Sequence, residues 1–105
     1  MSFHRAPLGQ KARPPSKAFG KLHMAKVARL PCMICFNPQV EVHHCISERF
    51  SQRKAWDTET IPLCVNHHRG PDGIHTNKAA WEAKYGLDRN YLPVVADLIA
   101  GELTE

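Results

Sequence analysis

Hydrophobic and polar positions along this chain change period several times, and each change predicts an element. Residues 1–20 have no apolar period and are punctuated by Pro7, Gly9, Pro14, Pro15 and Gly20, as expected of a flexible arm. From Lys21 to Leu30, Met24, Val27 and Ala28 recur at i, i+3, i+4, which predicts a helix that Pro31 stops. Gln39 to His44 alternates Val40, Val42 and His44 against Glu41 and His43, the period-two pattern of a strand. Ser47 to Asp57 is polar and predicts a loop or an irregular hairpin return. Ile61-Pro62-Leu63 then leads to a short helical turn near Cys64, which Arg69-Gly-Pro-Asp-Gly73 interrupts.

Thr76 or Asn77 can cap the next helix, which runs to Tyr85 with Gly86 as a left-handed terminator. Trp81 and Tyr85 lie one turn apart on one face of it. A last helix follows Asn90 and carries Leu92, Val95, Ala96, Ile99 and Leu103 as its apolar stripe. There is no internal repeat.

Composition adds two constraints. A chain of 105 residues with 8 prolines and 6 glycines makes one small, loop-rich domain over residues 21–105. A core of that size stabilises a fold only weakly, so a bound metal is a natural cross-link. No apolar run approaches the roughly 20 residues that span a bilayer, and the N-terminus lacks the apolar stretch of a secretory signal. Both point to a cytoplasmic protein with reduced thiols, in which a CxxC pair binds metal more readily than it forms a disulfide.

The net charge of +4 is unevenly spread. Residues 1–40 hold Arg5, Lys11, Arg13, Lys17, Lys21, Lys26 and Arg29 and no acidic residue, while all ten acids follow. A basic arm on a near-neutral domain suits a polyanion such as nucleic acid, although a solubilising tail has the same composition.

The chemistry lies in the cysteines and histidines. Cys32-Met-Ile-Cys35 and Cys64-Val-Asn-His67 form two half-sites, four soft or borderline ligands suited to tetrahedral Zn²⁺. Residues 36–63 between them leave room for a hairpin. Cys45 is the odd thiol, a buried strand-end residue or a substitute ligand for His67. His43, His44, His68 and His75 are left over. Because neighbouring strand residues face opposite ways, one of His43 and His44 can bind metal while the other activates water. Three imidazoles in an open site leave positions for water and a phosphate oxygen, as at a catalytic metal.

The order CxxC, strand with His43-His44, Ile-Pro-Leu-Cys-x-x-His-His and Gly-Ile-His resembles the HNH endonucleases of the His-Me finger class. It is most similar to the zinc-knuckle branch that includes bacteriophage recombination-enhancement nucleases, over roughly residues 22–100. The resemblance implies an α+β fold, a ββα-metal core with a structural zinc knuckle and flanking helices. It implies His43, His68 and His75 as ligands of a catalytic divalent metal (Zn²⁺, Mn²⁺, Ni²⁺ or Mg²⁺) and His44 as general base. Glu59, with Thr60 beside it, stands where the family has its middle Asn. His68 and His75 are further apart than the family's paired ligands, so a loop must bring them together.

The implied activity is hydrolysis of DNA phosphodiesters in the cytoplasm of a bacterial host. Arg49, Arg53, Lys54 and Arg69, with Arg5, Lys11, Arg13 and Lys17 of the arm, are the candidate DNA contacts. A recombinase or other phage or host DNA-processing protein is the partner that the family suggests, and no membrane is involved. The rival reading is a non-catalytic zinc module that binds DNA or a protein, which needs no second histidine set.

Overall fold

The computed structural model describes residues 13–48 and 54–103, with side chains through residue 101. They form a small α+β domain of a two-stranded sheet and several helices. Residues 1–12, including Arg5 and Lys11 of the expected arm, lie outside the described residues, as do Arg49 and Arg53.

Helix α1 spans Lys17–Val27 and begins four residues before the apolar pattern predicts. Ser16 is its N-cap: its backbone is extended, and its hydroxyl accepts the Phe19 N–H at 3.1 Å. Residues 17–20 therefore belong to the domain and not to a flexible arm. Gly20, read as loop punctuation, is buried inside the helix against Asp57. Val27 and Leu30 enter the core, but Ala28, expected beside them, is exposed.

The first knuckle follows. Phe36 N–H donates to the Cys32 carbonyl at 2.9 Å, and Phe36 itself takes a left-handed φ of 65°. Met33 N–H donates to the Pro62 carbonyl at 3.1 Å, fastening the knuckle to the strand that precedes the second half-site.

That strand is β2, Thr60–Leu63, antiparallel to β1, Glu41–His44. Glu41 faces Leu63, His43 faces Ile61 and His44 faces Thr60. Pro62 is compatible with this sheet because an edge strand can lack one donor. β1 starts at Glu41, later than the Gln39 start that the alternation suggests. All of β2 is buried, and in β1 the deepest side chain is a polar one, His43 at 1% exposure.

Helix α2, Val65–His68, is a single turn immediately after Cys64. The next loop folds back onto it: Ile74 N–H donates to the His67 carbonyl at 3.2 Å and His75 N–H to the His68 carbonyl at 3.0 Å. This is the loop that the wide His68–His75 spacing demands. Its tightest point is Gly73, where a Cβ would lie 2.7 Å from Arg69 N and 2.8 Å from Arg69 Cα.

Helix α3, Lys78–Tyr85, is capped by Asn77, whose side chain accepts from Ala80 N–H, and ends at Gly86 with φ of 82°. Trp81 and Tyr85 stack edge to face at 5.2 Å. A 3₁₀ turn, Asp88–Tyr91, leads into helix α4, Leu92–Leu103. Val95 and Ile99 of α4 join Val27, Leu30, Ile61, Leu63, Ile74 and Trp81 in the core, while Ala96 is exposed.

Gly73→Ala should destabilise the domain by about 1–3 kcal/mol, because the added methyl meets backbone that cannot swing aside. A urea unfolding midpoint equal to that of the wild type would show that the loop tolerates the methyl.

Candidate functional site

Four ligand atoms, from Cys32, Cys35, Cys64 and His67, lie within 4.8 Å of one another. Cys35 Sγ is 3.7 Å from Cys64 Sγ, and His67 Nδ1 is 3.2 Å from Cys64 Sγ and 3.9 Å from Cys32 Sγ. Tetrahedral zinc with Zn–S near 2.3 Å sets its sulfurs about 3.8 Å apart. The four residues can hold a metal ion such as zinc. Burial raises the Cys64 pKa, with the His67 backbone N–H opposing and the neighbouring thiols adding to it, and a bound cation would reverse the shift.

Behind this set, His67 Nε2 lies 3.4 Å from Asp72 Oδ2. Asp72 also accepts from Lys84 Nζ at 2.8 Å and from the Tyr85 hydroxyl, and these bonds lower its pKa. Cys45 takes no part. Its thiol is not among the clustered ligand atoms, so it is not the substitute for His67; burial first, and then the charge of Asp88, push its pKa up to about 12.

His43, His68 and His75 make the second set, again with ligand atoms within 4.8 Å. Their ring centroids are 5.1, 5.2 and 4.9 Å apart. His43 Nε2 bonds Asp88 Oδ2 at 2.9 Å, leaving Nδ1 buried without a hydrogen-bond partner. An orphaned buried nitrogen is costly, and a metal ion is one of the few things that satisfies it.

His68 Nδ1 bonds Glu41 Oε1 at 2.7 Å, which leaves its Nε2 for the set. Bonds from Arg69 and then His68 hold Glu41 down at about 2, so it is a carboxylate at every working pH. Burial lowers the pKa of His68, with Glu41 partly opposing. Burial also lowers the pKa of His75, with His68 adding to the effect. Both shifts favour the neutral, metal-binding form of imidazole. The donor set therefore suits a divalent cation: three nitrogens, two of them backed by carboxylates in the usual manner of metal-bound histidines.

His44 belongs to neither set. Its Nε2 is 2.9 Å from Asp57 Oδ1, and the two side chains are 32% and 36% exposed, so solvent reaches them. Glu59, where the resemblance puts the middle Asn, holds a turn. Its carboxylate accepts Trp56 N–H at 2.8 Å and its carbonyl accepts Cys45 N–H at 3.0 Å, closing the turn before β2.

Asp88 is the main residue that sequence reasoning missed. It is fully buried and accepts from Ile46 N–H at 2.7 Å and Ser47 N–H at 3.2 Å as well as facing His43. Burial raises its pKa, but His43 and the Ile46 N–H outweigh this and lower it overall. Asp57 and Glu41 were missed too. The sequence gives no local signal for any of them, because each partner is remote along the chain.

Among the expected DNA contacts, Arg69 is committed to Glu41 through Nε at 2.9 Å and Nη2 at 2.7 Å while remaining 60% exposed. Arg13, Lys17 and Lys54 are exposed.

The model of a family described as a protein of unknown function, DUF968, matches residues 6–99. The chain belongs to that family. Neither a curated protein nor a solved structure matches the chain. Among the described residues, no helix is long and apolar enough to cross a membrane. Family membership leaves the chemistry to be argued from the two ligand sets.

Cys32→Ser should lose zinc and unfold cooperatively at a lower temperature, because this set ties the first knuckle to β2 and α2. His68→Ala should keep that zinc and lose only binding of a second metal. Metal analysis with thermal melts checks both; a Cys32→Ser protein with wild-type zinc and stability would refute the assignment.

Proposed function

We propose that this protein is a metal-dependent DNA endonuclease of the HNH, or His-Me finger, class, built on a ββα-metal core. One observation carries the reading. His43, His68 and His75 gather apart from the three-cysteine, one-histidine set, and His44, next to His43 on β1, has a carboxylate of its own. A zinc module without catalysis needs the first set only and leaves the buried His43 Nδ1 unexplained.

His43, His68 and His75 would hold a divalent cation that stabilises charge on the scissile phosphate and on the leaving 3′ oxygen. Their nitrogen-rich coordination favours Zn²⁺, Ni²⁺ or Mn²⁺ over Mg²⁺. Asp88 and Glu41 fix the rings of His43 and His68 through their second nitrogens. His44 takes a proton from the attacking water, whose oxygen bonds to phosphorus as the bond to the 3′ oxygen breaks.

The acid-free segment 1–40 supplies sequence-independent attraction to the DNA backbone, with Arg13 and Lys17 exposed at the entry to α1. Lys54 is exposed on the segment before β2, and Arg69, at the end of α2, would have to leave Glu41 to meet a phosphate. The setting that goes with this reading is a bacterial cytoplasm, with a recombinase or another phage or host DNA-processing protein as partner.

The test is nicking of supercoiled plasmid with each divalent metal and with a chelator. His44→Ala should cut about 10²–10⁴-fold more slowly while DNA affinity and structural zinc persist. Wild-type protein that cuts nothing with any of these metals, or a His44→Ala variant that cuts as fast, would refute the reading.

A further inference from the structure

We propose that Asp57 is the positioning residue for His44, and that glycine stands at position 20 so that α1 can close over the Asp57 carboxylate. The inference rests on the reading of His44 as the base. It adds which nitrogen acts and what holds it.

The geometry starts at the pair. Asp57 Oδ1 lies 2.9 Å from His44 Nε2. A carboxylate only accepts hydrogen bonds, so the nitrogen facing it carries the proton. Neutral His44 is then the Nε2–H tautomer, and Nδ1 holds the lone pair that can take a proton from water. A buttressing carboxylate fixes the tautomer and the ring direction of a histidine base without taking the proton itself.

Asp57 is in turn held from three sides. Its carbonyl accepts from Thr60 Oγ1 at 2.9 Å, and Thr60 is the residue paired with His44 across the sheet. The Glu59 N–H donates to the Trp56 carbonyl at 2.8 Å, closing the turn around it. Ring and carboxylate therefore share one register.

The third side is α1. A Cβ at Gly20 would fall 2.7 Å from Asp57 Oδ2 and 2.8 Å from Asp57 Cβ. Glycine is the poorest helix former after proline, so helix formation does not account for its presence there. Its bare Cα lets the helix cover Oδ2 and leaves Oδ1 directed at His44. The acid-free segment that supplies charge for DNA thus also packs against the carboxylate behind the base.

The test uses the full-length, zinc-loaded protein. Long-range ¹H–¹⁵N correlation of the His44 imidazole reads the tautomer without any cleavage. The wild type should be protonated at Nε2. Asp57→Ala should shift His44 to a mixture of tautomers and lower kcat for nicking of supercoiled plasmid by about 10-fold or more, with KM unchanged. Its loss should not exceed that of His44→Ala.

Gly20→Ala improves helix propensity yet should move the same signals in the same direction, because its methyl displaces Asp57. It carries the test if Asp57→Ala does not fold. A wild-type His44 protonated at Nδ1, or a tautomer unchanged in the folded variants, would overturn the proposal. A tautomer that shifts as expected in a protein that never cuts DNA would instead overturn the nuclease reading and, with it, the role of His44 as base.

Discussion

Consecutive residues of an α-helix point about 100° apart, and in this protein that angle separates two candidate metal-ligand sets. His67 and His68 are neighbours on the single turn α2, yet His67 joins the three cysteines and His68 joins His43 and His75. Three neighbouring segments keep this turn in place. β2 delivers Cys64 to its start, the first knuckle is bonded to β2 through Met33 and Pro62, and the loop ending at His75 returns to the carbonyls of His67 and His68. A shift of the turn that suits one set therefore disturbs the other.

The histidines are further restrained by carboxylates drawn from distant parts of the chain. Asp72 stands behind His67, Glu41 behind His68, Asp88 behind His43 and Asp57 behind His44. Asp88 bears the largest penalty, since an ion removed from water costs several kcal/mol even after relaxation. Two backbone N–H groups and the His43 ring offset that cost, and they also pin the end of β1 to the 3₁₀ turn. Ser47 completes the joint. Its hydroxyl donates to Glu82 at 2.6 Å and accepts the Asp88 N–H at 3.1 Å. The chain thus stabilises its candidate metal ligands with polar contacts where a larger protein would use more core.

The ligand residues were legible because cysteine and histidine at short spacings are rare without a metal, and the spacing alone set Cys32–Cys35 against Cys64–His67. The carboxylates were not legible. Asp88 meets His43 across 45 residues, and an acidic residue in a polar stretch looks like any solvated charge. Asp57 meets His44 across 13 residues, and the turn before β2 hides which of its side chains faces the strand. The start of α1 was missed for another reason: Gly20 lowers helix propensity, and only its contact with Asp57 explains it. Ala96 of the apolar stripe on α4 is exposed, as is Ala28 on the patterned face of α1, since a small residue at a stripe's edge costs little in water.

The two sets differ in what metal binding can contribute. Structural zinc bound by cysteine-rich peptides is worth roughly 10–16 kcal/mol, comparable to the whole stability of a small domain. A cation held by the three-histidine set would add stability by mass action, about 4 kcal/mol at a thousandfold excess over Kd. Because α2 contributes a residue to each, whatever fixes His67 against the three cysteines also fixes the direction of His68. His43 and His75 come from other elements and are placed by Asp88 and by the Gly73 loop. The convergence of the three imidazoles therefore depends on the same turn that sets His67 among the three cysteines.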